Sequence, residues 1–437
     1  MMPIYRILTV VCLVLVVAAP VVAGKTLNLD QCIEYALEKN ERVISARNSA
    51  RVAGAGVWSA FGAFLPSGGI SLSSSETHSN KEFAIIEGIP QAVEESGISK
   101  GYSIGGSASL TAFNGGKNIF DYSSARSAKK AADRMVEATE LEIIYNVKRF
   151  YFAYLSALKA LNVAEEAVKL GEEQYKLASS RYEVGSASKS DVLKAQVQLG
   201  TDRYDFITAE NMVKSARAEL AYYIGVDVNA DVDFSTEYDS EVYDGSEADA
   251  VKYGFTNHPG LLAAGHNISS AKNQVRSAYG NYLPTLTLSI GKSWQNTFWS
   301  EVSQFNNIDA TWNFGVRLSL SIFEGFWRKR AVTGAKADLN NARASYYYSK
   351  NAIAFEIKRA YLDLKKAREA LVVAEETVNA AQEDMDLVQE KYNLGAATIL
   401  ELLDAQVNLT QARNQRIEAD FGHNMAVASL EYAMGTR

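Results

Sequence analysis

The chain has 437 residues, a formal net charge of −7 at pH 7 and a hydrophobic fraction of 47%. This mildly acidic balance, without clusters of basic residues, argues against nucleic acid as a partner. The length alone allows about two or three average domains, so the organisation has to be found in the pattern along the chain.

The first 23 residues have the features of a secretory signal peptide. Arg6 precedes an apolar run of about 13 residues, Ile7 to Ala19, which is followed by a small-residue end at Ala23. The run is too short to cross a membrane as a helix. We expect cleavage after Ala23, which removes Cys12 and leaves Cys32 without a partner for a disulfide within the chain.

The rest of the chain contains two copies of one unit. The segment 110–115 (LTAFNG) matches 320–325 (LSIFEG) at an offset of 210, which then holds to Gly225 and Gly435. Upstream, Leu65-Pro66 matches Leu283-Pro284 at an offset of 218. The predicted organisation is a signal peptide at 1–23, a first repeat at 24–225, an acidic linker at 226–249 and a second repeat at 250–437.

Each repeat contains two segments with strand-like alternation. In the clearest one, apolar residues from Trp312 to Ile322 alternate with polar residues from Asn313 to Ser321. A period of two with one apolar face is typical of a half-exposed strand. We predict β-hairpins at about 67–113 and 285–323, with polar loops at Glu76–Lys100 and Lys292–Asp309.

After each hairpin, a heptad pattern predicts a long helix. Its apolar positions in the second repeat are Ile357, Leu364, Leu371, Val378, Met385 and Tyr392. Such a pattern is typical of coiled-coil packing. The predicted helix at 116–184 would be about 100 Å long at 1.5 Å per residue. Turns at 184–189 and 394–398 then lead into shorter helices, so each repeat is predicted to be a long helical hairpin with a β-hairpin at its far end.

Four strands per chain cannot stand alone in lipid, because the open edges would leave backbone groups unsatisfied. The smallest ordinary barrel needs about eight strands, so copies of the chain would have to join their strands. Trp294, Phe298, Trp299 and Trp312 suit the interface between lipid and water. The alternative is a soluble β-sandwich that packs the same apolar stripes in its core.

The twofold repeat, the two Leu-Pro pairs and the turns at 182–196 (YEVGSASKSDVLKAQ) and 392–406 (YNLGAATILELLDAQ) together resemble the TolC-like outer-membrane efflux proteins. The resemblance covers essentially all of the chain after the signal peptide. It implies a mixed α and β membrane protein, a homotrimer whose four strands per chain form a twelve-stranded transmembrane β-barrel in the outer membrane. The helical hairpins would continue the barrel as an α-barrel through the periplasm.

The resemblance also implies a function and partners. The expected function is that of a passive exit duct in a tripartite efflux pump or a type I secretion system. The expected partners are outer-membrane lipid, a periplasmic adaptor protein and an inner-membrane transporter of RND, ABC or MFS type. The alternative is a periplasmic coiled-coil scaffold or adaptor that never enters the membrane.

Three carboxylates near the turns are candidates for a pore constriction. Glu401 and Asp404 lie one helical turn apart and can therefore face the same way. In a trimer they would form two rings that narrow the pore and favour cations. The family has a carboxylate constriction at matching positions, and Asp191 matches another acidic position near the first turn.

Helix capping is an alternative role for two of these acids. Thr398-x-x-Glu401 and Ser188-x-x-Asp191 both fit a capping box. Asp404 lies beyond the cap, and Lys194 occupies its position in the first repeat. Asp404 is therefore the best candidate for a pore residue.

In the closed state of the family, an arginine just after the second turn's glycine can brace the tip, and Ala397 stands there in this chain. Tyr392 and Asp191 remain as candidates for a tip contact. The resemblance assigns adaptor docking to Val184, Gly185, Ser186 and Ala187 of the first turn and to Leu394, Gly395, Ala396 and Ala397 of the second. Gly185 and Gly395 also fit helix C-terminal positions with positive φ.

No enzyme activity, cofactor or metal site is predicted. The chain has four histidines, and they are scattered without partner cysteines. The sequence also offers no grouping of a nucleophile with a base.

Overall fold

A computed structural model of the chain describes residues 26–79, 82–86, 88–94, 97–229, 232–238, 243–305 and 310–436. The predicted signal peptide at 1–23 lies outside these residues. The chain is mostly helical with a few strands. It divides into two compact units, which comprise Met1–Asn40, Asn146–Glu241 and Ala370–Met425 in the first, and Glu41–Tyr145, Val242–Glu369 and Ala426–Arg437 in the second. Each unit contains segments of both sequence repeats.

The helices follow the repeat closely. Those of the first repeat are α1 (Leu29–Lys39), α2 (Glu41–Gly62), α3 (Lys117–Glu183) and α4 (Lys189–Tyr223). Those of the second are α5 (Glu247–Asn257), α6 (Pro259–Gly280), α8 (Trp327–Asn393) and α9 (Ile399–Met434). The helix α3 and the helix α8 have 67 residues each, or about 100 Å at 1.5 Å per residue. None of the helices in the described ranges combines the length and apolar character needed to cross a membrane.

A four-stranded antiparallel sheet lies within the second unit. Its strands are β2 (Ser67–Ser79), β5 (Gly97–Asn114), β7 (Thr285–Asn296) and β8 (Ala310–Ser319), in the spatial order β2-β5-β7-β8. The pairing of β5 with β7 joins the two repeats. Trp312, Phe314, Val316 and Leu318 form an exposed apolar face of β8.

Two segments that the sequence predicted to be polar loops contain regular structure. Between Glu76 and Lys100, β2 and β5 extend beyond the apolar stripes, and β3 (Glu82–Ile86) pairs with β4 (Ile89–Glu94). The prediction was wrong there because the strand ends at 76–79 and 97–100 do not show apolar alternation, although their backbone groups still pair with each other. In the second loop, β7 continues to Asn296, and a short helix, α7 (Trp299–Val302), follows.

Separate apolar cores hold each unit together. In the second unit, Ile357 and Leu364 of α8 pack with Leu430 of α9 and Leu261 of α6. Burial of each such side chain contributes about 1.5–3 kcal/mol. In the first unit, β1 (Thr26–Leu27) pairs in parallel with β6 (Asp233–Phe234), which lies in the predicted acidic linker.

Cys32 lies buried in the first unit as a free thiol. Burial raises the pKa of this thiol to about 12, so it stays protonated at neutral pH. Because the thiolate is the reactive form of cysteine, Cys32 is chemically inert there.

Candidate functional site

The two interhelical turns have the same backbone structure. Gly185 and Gly395 adopt φ values of 78° and 76°, in the left-handed region that favours glycine. In the first turn, the amides of Gly185 and Ser186 donate to the carbonyls of Tyr182 and Arg181, at 2.9 and 2.8 Å. The second turn repeats both hydrogen bonds. This is a Schellman motif, in which the glycine allows the chain to reverse after a long helix.

Each turn leads into a capped helix. The carboxylate of Asp191 accepts hydrogen bonds from the amide and the hydroxyl of Ser188, at 3.0 and 2.8 Å. The carboxylate of Glu401 accepts one from the amide of Thr398 at 2.8 Å. These hydrogen bonds hold the pKa of Asp191 below its ordinary value, and the bond from the Ser188 amide has the larger effect. Both acids therefore complete capping boxes, as the third helical residue after Ser188 and Thr398.

Asp404 lies beyond the cap of α9 and has an exposed side chain. Glu401 is exposed as well, whereas Leu402, Leu403 and Ala405 are buried on the opposite side of the helix. The two carboxylates thus share the outward side of the first turns of α9. In the first repeat, the equivalent position is occupied by Lys194, which is also exposed.

Tyr392 is held by a residue that the sequence reasoning missed. The guanidinium of Arg181 donates to the carbonyl of Tyr392 at 2.9 Å and to the carbonyl of Asn393 at 3.2 Å. It also lies 4.3 Å from the centroid of the Tyr392 ring. A cation at a helix C-terminus satisfies carbonyls that have no partner within the helix, and it interacts favourably with the helix dipole. We call this set of contacts the tip clamp.

Among the described residues, the other repeat has no symmetric counterpart of the tip clamp. Lys391 is equivalent to Arg181 by the offset of 210, and Tyr182 is equivalent to Tyr392. Tyr392 is 4% exposed, whereas Tyr182 is 45% exposed. The ammonium of Lys189 lies 5.5 Å from the ring centroid of Tyr182. The sequence contains one signal for this difference, the replacement of Arg181 by Lys391 in the second repeat. Arginine can form two parallel hydrogen bonds and lysine cannot.

The predicted docking residues are not all equally accessible. Val184 and Leu394 are each 78% exposed at the turns. Ala397 is partly buried against the apolar cluster of Met385, Tyr392 and Leu402. The predicted tip-contact residues have separate partners, because Asp191 bonds to Ser188 and Tyr392 bonds to Arg181.

A buried polar contact lies further along the hairpins of the same unit. Asp202 is 6% exposed and accepts hydrogen bonds from Gln198 at 2.9 Å and from Gln406 at 3.2 Å. Burial raises the pKa of Asp202, although the two hydrogen bonds oppose this effect. A side chain at Gly171 would place its Cβ 2.6 Å from the Asp202 carboxylate, so glycine makes room for the acid.

The surface around the two turns is partly charged and partly apolar. Within the described part of the chain, no three His, Cys, Asp or Glu side chains are arranged to hold a metal ion. The exposed acids of α9 can attract cations, and the exposed apolar turns can bind another protein.

Comparison with known proteins identifies this arrangement. The outer membrane efflux protein family matches residues 32–226 and 255–436. CyaE of Bordetella pertussis is 28% identical over 68% of this chain, and the match spans 65% of the CyaE chain. TolC of Salmonella enteritidis is 22% identical over 73% of this chain and 67% of its own.

Solved structures share the fold. The CmeC outer membrane channel of Campylobacter jejuni aligns with a TM-score of 0.81 over 93% of this chain and 85% of its own, at 19% identity. The MtrE outer membrane channel of Neisseria gonorrhoeae, in its open state, aligns with a TM-score of 0.78 over 93% of this chain and 89% of its own, also at 19% identity.

The fold is therefore that of the outer-membrane channels. The chain belongs to the outer membrane efflux protein family. This membership confirms the resemblance inferred from the sequence and the predicted location in the outer membrane.

Proposed function

We propose that this protein is the outer-membrane exit duct of a tripartite efflux pump or a type I secretion system. The observation that carries the proposal is the four-stranded sheet, whose outer strands are β2 and β8 and whose apolar face is exposed. Such a sheet satisfies its backbone groups in lipid only if other strands close it into a barrel. Three copies would supply twelve strands and form a homotrimer.

The helical hairpins would line a passage, with Asp404 and Glu401 in rings at its periplasmic end. Both carboxylates are exposed on α9, as a pore lining requires. Rings of acidic side chains favour cations over anions. Asp191 contributes negative charge near the first turn, although it also caps α4.

The exposed turns would dock on a periplasmic adaptor, which connects the duct to an inner-membrane transporter of RND, ABC or MFS type. Val184 and Leu394 provide apolar contact area at the two turns. The chain itself is a passive conduit and not an enzyme, because transport energy would come from the transporter.

The alternative function, a periplasmic scaffold or adaptor, does not account for the sheet. Trp312 and Phe314 are 66% and 74% exposed, which is unfavourable in water for a whole strand face. In a lipid bilayer these apolar side chains would contact acyl chains and not water, so the cost of their exposure would disappear.

Membrane fractionation and electrophoresis with and without heating test the proposal. The expected result is recovery in the outer membrane as a trimer that dissociates on heating, with cation-selective conductance in planar bilayers. Recovery as a soluble periplasmic protein without conductance would contradict it.

A further inference from the structure

The two repeats place equivalent strands in one sheet. The offset of 218 relates α2 to α6 at both ends, and it relates the first residue of β2, Ser67, to that of β7, Thr285. The offset of 210 relates α3 to α8 at both ends and therefore relates β5 to β8. Thus β2 and β7 are equivalent first strands, and β5 and β8 are equivalent second strands.

The junction between the repeats is visible within the chain. It pairs the second strand of one repeat, β5, with the first strand of the next, β7. In this pair Ala108 lies opposite Ile290, and Ser109 lies opposite Ser289. The equivalent junction would pair β8 with a β2, but these two strands lie at opposite edges of the sheet. The β2 that meets β8 must therefore come from another copy of the chain.

The two edges carry apolar side chains that are uncovered in the single chain. Ile70 and Leu72 of β2 are 89% and 65% exposed, and Leu318 of β8 is 69% exposed. The residues after β8, 320–324, are equivalent to residues 110–114 of β5, which all pair with β7 except Ala112 at a β-bulge. The sequence predicted this strand up to residue 323, but β8 ends at Ser319. The strand that would pair with residues 320–324, as β7 pairs with β5, is the β2 of another copy.

We propose that the seam between two copies repeats the register of the β5–β7 pair. Each β5–β7 pair inside the chain has an equivalent β8–β2 pair between two copies. Its residue numbers are found by adding 210 to the β5 residue and subtracting 218 from the β7 residue. Ala108 with Ile290 becomes Leu318 with Leu72 of a second copy, and Ser109 with Ser289 becomes Ser319 with Ser71. The proposal rests on the proposed function, because a closed barrel is what requires this seam.

The chemistry of the two faces agrees with this register. It places Leu318 opposite Leu72 on the apolar face, and Ser319 opposite Ser71 and Arg317 opposite Ser73 on the polar face. A slip by one residue would set apolar side chains against polar ones along the whole seam. A slip by two residues would keep apolar side chains on the apolar face. The register of the equivalent β5–β7 pair inside the chain is the argument against such a slip.

Cysteine cross-linking in the full-length protein tests the register. Cα atoms of directly opposed residues lie about 4.5–5.5 Å apart, within the range of about 4.4–6.8 Å that disulfides need. The paired variant is Ser319→Cys with Ser71→Cys, in a Cys32→Ser background. The slipped variants are Ser319→Cys with Ser73→Cys and Ser319→Cys with Gly69→Cys, whose diagonal separation of roughly 7–8 Å is too long.

The chain also offers a matched internal control. Ser109→Cys with Ser289→Cys is the equivalent pair inside one chain, so it should form a disulfide without linking two chains. We expect at least about tenfold faster linkage between chains for the paired variant than for either slipped variant, seen as covalent oligomers in non-reducing gels. Arg317→Cys with Ser73→Cys, the next pair on the polar face in the same register, should also link.

Two results would overturn the proposed register. One is faster linkage in a slipped variant; the other is no linkage between chains in either registered pair while the internal control closes. If heat-sensitive trimers still form in the outer membrane, only the register is wrong. If no oligomer forms at all in the unsubstituted protein, the proposed function itself fails.

Discussion

The guanidinium of Arg181, at the end of α3, lies over the ring of Tyr392 and donates to the last carbonyls of α8. Two long helices from different repeats therefore end in a shared contact within the first unit. The equivalent residue of the second repeat, Lys391, is exposed. In the tip clamp, Arg181 of the first repeat thus holds the end of α8 just before the second turn.

Arg181→Ala should loosen the end of α8. The loss of hydrogen bonds from a charged group and of a cation–π contact should cost about 1–3 kcal/mol locally. Faster amide hydrogen exchange in residues 388–396 would report it, and Arg181→Lys should restore only part of the protection. Lys391→Ala is the matched control and should leave exchange in this segment unchanged. Equal effects of the two alanine variants would remove the special role of Arg181.

Asp404→Ala should lower the cation preference of the channel and raise its conductance in planar bilayers. The substitution removes an exposed negative charge, and it should change stability by less than about 0.5 kcal/mol. Lys194→Ala removes a charge from the equivalent position of the first repeat and should move selectivity in the opposite direction or leave it unchanged. Unaltered selectivity of Asp404→Ala would place this residue outside the pore.

Glu401 can be tested separately as a cap and as a charge. Glu401→Gln keeps a side chain that can accept from the amide of Thr398, but it removes the charge. Glu401→Ala removes both and should cost about 0.5–1.5 kcal/mol, the worth of one hydrogen bond. If Glu401 lines the pore, the two variants should show the same shift in ion selectivity while only Glu401→Ala lowers the thermal stability of the helical signal. Unchanged selectivity in both would leave Glu401 with the cap alone.

Gly171→Ala should destabilise the helical part, because the overlap of the new Cβ with the carboxylate of the buried Asp202 costs about 1–3 kcal/mol and the helix propensity of alanine returns only about 1 kcal/mol. The second repeat shows how the conflict can be relieved, since Ala381 and Ala412 stand at the equivalent positions. The double variant Gly171→Ala with Asp202→Ala should therefore be more stable than Gly171→Ala alone. Thermal unfolding followed by circular dichroism checks this order, and an additive loss would contradict the steric explanation.

Asp202 should make a modest favourable contribution to the stability of the helical part on mild acidification. Burial raises the folded-state pKa of Asp202 above the value of about 3.9 in an unfolded chain, so the folded protein binds the proton more readily. Lowering the pH through the raised pKa toward about 3.9 therefore adds stability, whereas above it the charged form carries its full desolvation cost. Asp202→Asn should flatten this part of the profile, measured as the change in melting temperature between neutral and mildly acidic buffer.

The repeat and the helix pattern were sufficient to predict most of the fold. The Leu-Pro pairs, the heptads and the turn glycines each have a local physical cause that is readable in the sequence. The helix predicted at 116–184 is Lys117–Glu183, and the turn glycines have the expected positive φ. The ends of β2 and β5 at 76–79 and 97–100 were not predicted, because their pairing depends on backbone groups and not on apolar side chains.

The contacts between the repeats were beyond sequence reasoning. Arg181 and Tyr392 are 211 positions apart, and nothing in the local pattern of either residue names the other. The same holds for Asp202 and Gln406, which meet only because two hairpins pack side by side in one unit. Capping boxes, by contrast, are local motifs, and both were visible in the sequence as candidates.

The inequality of the two turns has a consequence for binding stoichiometry. Tyr182 is open to solvent at one turn, whereas Tyr392 is covered by Arg181 at the other. A trimeric duct would therefore present two chemically distinct kinds of turn, each in three copies, around its periplasmic end. A partner that occupies every turn would bind with two different affinities, and one that recognises a single kind would saturate at three molecules per duct.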